Sequence, residues 1–264
     1  MKIADMEHAF VTGGASGIGL GAVRGLAARG IAVTFADFNP DALQDVLGEG
    51  MANVRGVHMD VRDRAAWAEA KAEAEATFGP VDLLFSNAGI ASVGYELADM
   101  DPESFDRIVG VNLFGAFNGI SAFAAGMRER RRGHIVSTTS IVGIASPKNG
   151  VGGNYVASKF GIIGLSEVLR LEMAPHGVGV SVLCPGYMAT GNGRNPIRFA
   201  NDSRKVAGLG DTPGGRVEDL VPRLLVGIEA DLFYITSHCE DEWPNVERRS
   251  KELEAAFNGD SKAI

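Results

Sequence analysis

Cysteine is nearly missing from this chain: Cys184 and Cys239 are the two in 264 residues, and they stand far apart without metal-ligand or redox spacing. That excludes a disulfide framework and reads as two free thiols in a reducing compartment. Positive charge is short as well. Lys and Arg number 25 against 33 Asp and Glu, a formal net charge of −8, so no general field favours the phosphate backbone of a nucleic acid. No apolar run is expected to be long enough to cross a bilayer, and the opening MKIADMEHAFVTGG has one Lys and no apolar stretch ahead of its first strand. The expectation is a cytoplasmic protein with no signal peptide and no membrane partner. Repeats and interdomain linkers are lacking too, and at 45% hydrophobic residues the chain can bury a full core, so residues 1–264 are expected to form one domain.

What is present is alternation. Short β-rich runs at 8–12, 31–37, 54–60, 82–86, 134–140, 180–184 and 232–236 are separated by helical patterns at about 17–29, 40–48, 63–78, 101–131, 154–174 and 216–230, with a last helix near 241–257. Parallel strands need crossovers and each crossover covers a face, so this order predicts an α/β fold: a doubly wound, seven-stranded parallel sheet of Rossmann type with helices on both faces. The segment 186–215 is rich in Gly, Asn and Pro and too long for an ordinary loop, which suggests a lid at about 188–216. The basic run at 128–133 reads as a solvated helix end.

VTGGASGIG, residues 11–19, closes the first strand and opens the first helix, with Gly13, Gly17 and Gly19 at GxxxGxG spacing. Glycines there permit a tight turn and close backbone approach, and a helix N-terminus offers free N–H groups to a pyrophosphate. A plain glycine-rich turn would look the same by itself. Asp37, about 20 residues on at the end of the second strand, would accept hydrogen bonds from ribose hydroxyls and repel a 2′-phosphate. With Ser16 and Phe38 near the turn in place of a cation, NAD is expected rather than NADP. Asp60 is read either as a contact to the adenine amino group or as the cap of the next helix. Asn87, in SNAG, stands beside the cofactor cleft with Ala88 and Gly89 leaving room, or else satisfies its own loop.

Tyr155 and Lys159, in YVASK, share a helix face at i and i+4. A phenol near pKa 10 must release or take up its proton near neutrality, and an ammonium about 5 Å away at an effective dielectric of about 20 favours phenolate by about 3 kcal/mol. Ser140 falls at the carboxyl end of the fifth strand, where doubly wound folds bind ligands, and its hydroxyl is suited to hold a substrate oxygen. Asn112 is polar amid the apolar run IVGVNLFGAF and needs buried partners; it reads as a bridge toward Lys159 or as a satisfied core Asn.

Together TGGASGIG, Asp37, SNAG, Asn112, Ser140, YVASK and CPGYMAT resemble, in order over residues 8–190, the short-chain dehydrogenases/reductases. The resemblance implies Tyr155 as general acid/base, Lys159 as pKa modulator and nicotinamide-ribose ligand, Ser140 as substrate orienter and Asn112 as relay support. It implies cofactor contacts from Gly13, Ser16, Gly17, Ile18, Gly19, Asp37, Asp60, Val61, Asn87, Ala88 and Gly89, and, around the nicotinamide, from Pro185, Gly186, Met188 and Thr190. No metal site is expected. The chain departs from the family in reading SNAG for NNAG, in Ser137, and in a slightly longer, glycine-rich segment between Ser140 and Tyr155.

The reading that results is an NAD-dependent enzyme interconverting a secondary alcohol and a ketone. Its substrate is expected to be hydrophobic or aromatic, because the candidate walls from Ile90, Ile141 and Tyr187 are largely apolar. An NADPH-dependent ketoreductase and a non-catalytic NAD-binding regulator are the alternatives. Apolar residues on more than one face of the 154–174 helix point to subunit association, and the resemblance implies a homodimer or homotetramer.

Overall fold

The computed structural model describes residues 2–91, 96–147, 152–188, 214–237 and 242–259. Thr190, Cys239 and most of the expected lid lie outside the described residues. The strands are β1 (His8–Thr12), β2 (Ala32–Asp37), β3 (Val54–His58), β4 (Leu83–Ser86), β5 (His134–Thr138), β6 (Gly179–Cys184) and β7 (Tyr234–Thr236). They form one parallel sheet in the order β3-β2-β1-β4-β5-β6-β7, a Rossmann-like arrangement. The order reverses between β1 and β4, which opens a crevice at their carboxyl ends.

Around the sheet lie α1 (Gly17–Ala27), α2 (Pro40–Gly48), α3 (Arg64–Phe78), α4 (Pro102–Val109), α5 (Gly115–Arg130), α6 (Gly153–Met173), α7 (Val217–Glu229) and α8 (Trp243–Asn258). Local chemistry sets several starts. Asn39 accepts from the N–H groups of Asp41 and Ala42 with Pro40 in the first turn, and Asp63 does the same for Ala65 and Ala66. Alternation along the strands divides the core. Val11, Val33 and Phe35 pack with Val23, Leu26 and Leu224 on one face, while Phe10, Leu84 and Ile135 pack with Trp67, Phe123 and Met127 on the other.

The 101–131 pattern is not one regular helix. Gly110–Phe114 forms a π turn between α4 and α5, and Asn112 sits in it. The whole stretch Pro102–Arg130 is by length and composition apolar enough to cross a membrane, contrary to the expectation that no such run exists. More than half of its most apolar stretch is buried inside the fold, where sheet and helices take up the apolar face.

At the opposite end of the sheet from the crevice, the start of β5 buries His134 completely. The Ser181 hydroxyl donates to the carbonyl of Leu232 at 2.6 Å and therefore accepts from His134 Nε2–H at 2.8 Å. Nδ1 is left without a hydrogen-bond partner. A Cβ on residue 179 would lie 2.2 Å from Nδ1, so only glycine fits opposite the ring. Burial lowers the imidazole to about 3, and it is neutral.

Candidate active site

The first-strand turn is built by steric necessity. Gly13 has φ +63° and Gly17 φ +51°, conformations that favour glycine, and a Cβ on Gly19 would come 2.0 Å from the Gly13 carbonyl oxygen and 2.7 Å from Asn87 Nδ2. Ser16 caps α1 in extended conformation, yet its exposed side chain makes no capping hydrogen bond, so the hydroxyl faces outward beside the first-turn N–H groups and Ile18. Asp37 ends β2 with one oxygen accepting from Ala15 N–H and the other from Asn39 N–H, both at 3.0 Å. A bare glycine turn, a helix N-terminus and a carboxylate at the next strand end fit the phosphates and ribose of a dinucleotide.

Asn87 does not merely satisfy its own loop. Its amide donates to the carbonyl of Thr12 at 3.1 Å, its oxygen accepts from the Thr138 hydroxyl at 3.1 Å, and Thr12 Oγ1 accepts from Asn87 and Ala88 N–H. It thus ties the ends of β1, β4 and β5 across the crevice. Gly89 makes room for protein side chains: a Cβ there would lie 3.3 Å from Asn112 Oδ1 and 3.5 Å from Lys159 Nζ.

Asp60 corrects one expectation. It lies beyond the end of β3, and its carboxylate is held by Arg62 through both side-chain oxygens, which lowers its pKa. The cap of α3 is Asp63 instead: the helix begins at Arg64, and Asp63, directly before it, accepts from Ala65 and Ala66 N–H, whereas Asp60 lies three residues too early. Val61 is buried, and its carbonyl accepts from Trp67 Nε1 and Asn118 Nδ2.

At the end of β5, Ser140 caps a single 3-10 turn, Ile141–Gly143, and its hydroxyl stands beside the phenol of Tyr155. Its hydroxyl is also within 3.4 Å of the Pro185 carbonyl. Burial pushes the phenol above its ordinary range and the neighbouring Ser140 hydroxyl opposes that shift. Lys159 Nζ donates to the Thr138 carbonyl at 2.9 Å and lies over the Tyr155 ring, 5.4 Å from its centroid. Burial lowers this lysine to about 8, so it is cationic at neutral pH. Desolvation therefore sets the direction of the phenol's shift, and the expected lowering by the ammonium is not seen. Asn112 bridges backbone: Oδ1 accepts from Ile90 N–H at 2.8 Å, and Nδ2 donates to the Ile90 carbonyl and to Ser158 Oγ.

Pro185 and Gly186 follow β6 into the same crevice. The Pro185 carbonyl accepts from Ile141 N–H, and Gly186 N–H donates to Ser237 Oγ at the end of β7. Met188 is buried and bridges to Gly215, joining the two described ends of the lid segment. Four supporting residues escape a reading of motifs alone: Thr139, whose hydroxyl donates to the Lys159 carbonyl, Ser237, Asn154 and Ser158. Asn154 and Ser158 repeat the i, i+4 spacing of Tyr155 and Lys159 one residue earlier, but among the other polar residues of this helix nothing in the sequence marks them.

Comparison with known proteins agrees with this geometry. The family model described as short chain dehydrogenase matches residues 7–198. A 3-alpha-(or 20-beta)-hydroxysteroid dehydrogenase of Mycobacterium bovis is 37% identical over 182 residues, 69% of each chain. A C alpha-dehydrogenase of Sphingobium sp. is 32% identical over 256 residues, covering 91% of this chain and 83% of the relative. Among solved structures, a short chain dehydrogenase/reductase from Burkholderia phymatum in complex with NAD superposes with a TM-score of 0.87 at 29% identity, over 97% of both chains.

Proposed function

Because the chain belongs to the short chain dehydrogenase family, we propose that it is an NAD-dependent oxidoreductase that interconverts a secondary alcohol and a ketone. The observation that carries this reading is the Ser140–Tyr155 hydroxyl pair with the buried Lys159 against the same ring, at the carboxyl edge of the sheet beside the glycine turn. When bound, a nicotinamide would supply the hydride acceptor or donor. Gly13, Gly17, Gly19 and Ser16 would hold its pyrophosphate, Asp37 its adenosine ribose, and Asn87 to Gly89, Pro185, Gly186, Met188 and Thr190 its nicotinamide half.

The chain's own residues handle the proton. Ser140 and Tyr155 receive the substrate oxygen between two hydroxyls. With burial holding the phenol protonated, Tyr155 is loaded to donate when a ketone is reduced. For oxidation it must first release that proton, and the charged Lys159 favours the phenolate. Lys159 loses this charge as pH rises through about 8. Asn112 holds the Ile90 backbone and supports the same face.

Asp37 favours NAD over NADP, and the NAD-bound structural relative supports the same choice. Apolar Ile90, Ile141 and Met188 near the site, with a hydroxysteroid dehydrogenase among the relatives, support a bulky hydrophobic or aromatic alcohol. The chain is further read as one cofactor-binding domain working in the cytoplasm. Exposed Phe114, Phe117, Val168 and Leu171 on outer helix faces support association as a homodimer or homotetramer. The test is NADH formation across secondary alcohols of increasing bulk. Tyr155→Phe is expected to lower kcat at least about 1,000-fold, within the range general acid/base groups contribute, with NADH affinity nearly unchanged. Equal loss of both would remove Tyr155 from the proton transfer.

A further inference from the structure

Four polar side chains lie buried where α6 crosses α4 and the π turn, and the chemistry above uses one of them. Asn154, Ser158, Asn112 and Ser104 are exposed by 0%, 0%, 1% and 2%. Residues 154 and 158 share a face of α6, one residue out of phase with 155 and 159. On that face Asn154 Nδ2 reaches the carbonyl and hydroxyl of Ser104 on α4, each at 3.4 Å. One turn later Ser158 Oγ accepts from Asn112 of the π turn at 3.2 Å and donates to the Tyr155 carbonyl at 2.7 Å.

Asn154 meets the catalytic residue directly. The N-cap of α6 is Gly152, at φ +77° and without a side chain to cap, and the first helical backbone bond runs from Val156 N–H to the Gly152 carbonyl. The Tyr155 N–H is an orphan of the first turn. Asn154 Oδ1 accepts it at 2.8 Å. The backbone of Tyr155 is thereby held at both ends, its N–H by Asn154 and its carbonyl by Ser158, and both holders are anchored on α4 or the π turn. An apolar contact would let α6 slide or rotate slightly; paired polar groups in a dry interface tolerate one register.

We propose that Asn154 is a positioning residue for Tyr155, tying the first turn of α6 to Ser104 so that the phenol meets Ser140 in one register. This rests on the oxidoreductase reading for its kinetic consequence and not for its structural one, so two readouts are taken. Hydrogen exchange at the Tyr155 amide is measured without substrate in the full chain. Asn154→Ala, which removes the acceptor over the amide, should speed it at least about 10-fold. In turnover with NAD and the best alcohol, Asn154→Ala should lower kcat about 10-fold while KM and NADH affinity stay within about threefold.

If Asn154→Ala does not fold, Ser104→Ala removes the hydroxyl half of the link and leaves the Ser104 carbonyl and α6 intact; a faster Tyr155 amide exchange and a kcat loss of about twofold or more at constant KM are then expected. An unchanged amide rate, an unchanged kcat in the folded variant, or a loss shared equally by kcat, KM and cofactor affinity would each overturn the assignment. A parent protein silent toward every alcohol would refute the oxidoreductase reading, while the exchange experiment would still judge the link.

Discussion

Taking the pH from about 7.5 to about 5 is predicted to cost this fold about 2 kcal/mol through His134 alone. The ring is fully buried, its Nε2–H is committed to Ser181, and its Nδ1 has no partner to stabilise an added proton. Its pKa is lowered from 6.5 to about 3 in the folded state by desolvation. Between those values the unfolded chain binds a proton that the folded chain refuses. The stability is whole above 6.5 and falls by about 1.4 kcal/mol per pH unit as the pH drops toward 3. At about pH 5 the interval crossed is roughly 1.5 units, which gives about 2 kcal/mol. The assay is urea unfolding at the two pH values for the parent and for His134→Gln, which retains an N–H donor and cannot titrate. The carboxylates, and His8, whose pKa burial also lowers, are common to both proteins and cancel in the difference. The parent should lose about 2 kcal/mol more than the variant. Equal losses would show that the imidazole is not dry and neutral at the start of β5.

The glycine turn and the carboxylate beside it make further predictions. Gly19→Ala drives a methyl into the Gly13 carbonyl, and the expected outcome is a weakening of NADH binding by about 100-fold or more in a fluorescence titration, with a stability loss of about 1–3 kcal/mol. Asp37→Ala removes one like-charge contact worth about 1.4 kcal/mol, so the ratio of kcat/KM with NADP to that with NAD should rise about 10-fold; an unchanged ratio would mean that this carboxylate does not meet the ribose.

The fold was legible because its signals are local. Each strand reads as a short β-branched or aromatic run, and α2 begins where Asn39 and Pro40 say it should. The site was legible where a residue type has one use, as with Gly19, which has no room for a side chain, and with the Tyr155–Lys159 spacing. What escaped depends on neighbours in space. Asp60 carried two reasonable readings, and the start of α3 at Arg64 gave the capping one to Asp63. The π turn left no trace because Gly110, Asn112 and Gly115 blur the apolar period that would reveal an extra residue. Asn154 and Ser158 became meaningful only once α4 was seen to cross them, since a small polar residue on a helix usually faces water.

That π turn amounts to one surplus residue inserted between two helices that would otherwise run on as one. A chain shorter by a single residue within 110–114 could keep α5 in the core through Phe123 and Met127, yet α4 would swing about 100° around the common axis. Ser104 would then leave α6, and Asn112 would turn from the Ile90 backbone. Length at this point is therefore as much a part of the site as any side chain, and a gain or loss of one residue here would silence it without touching a named motif.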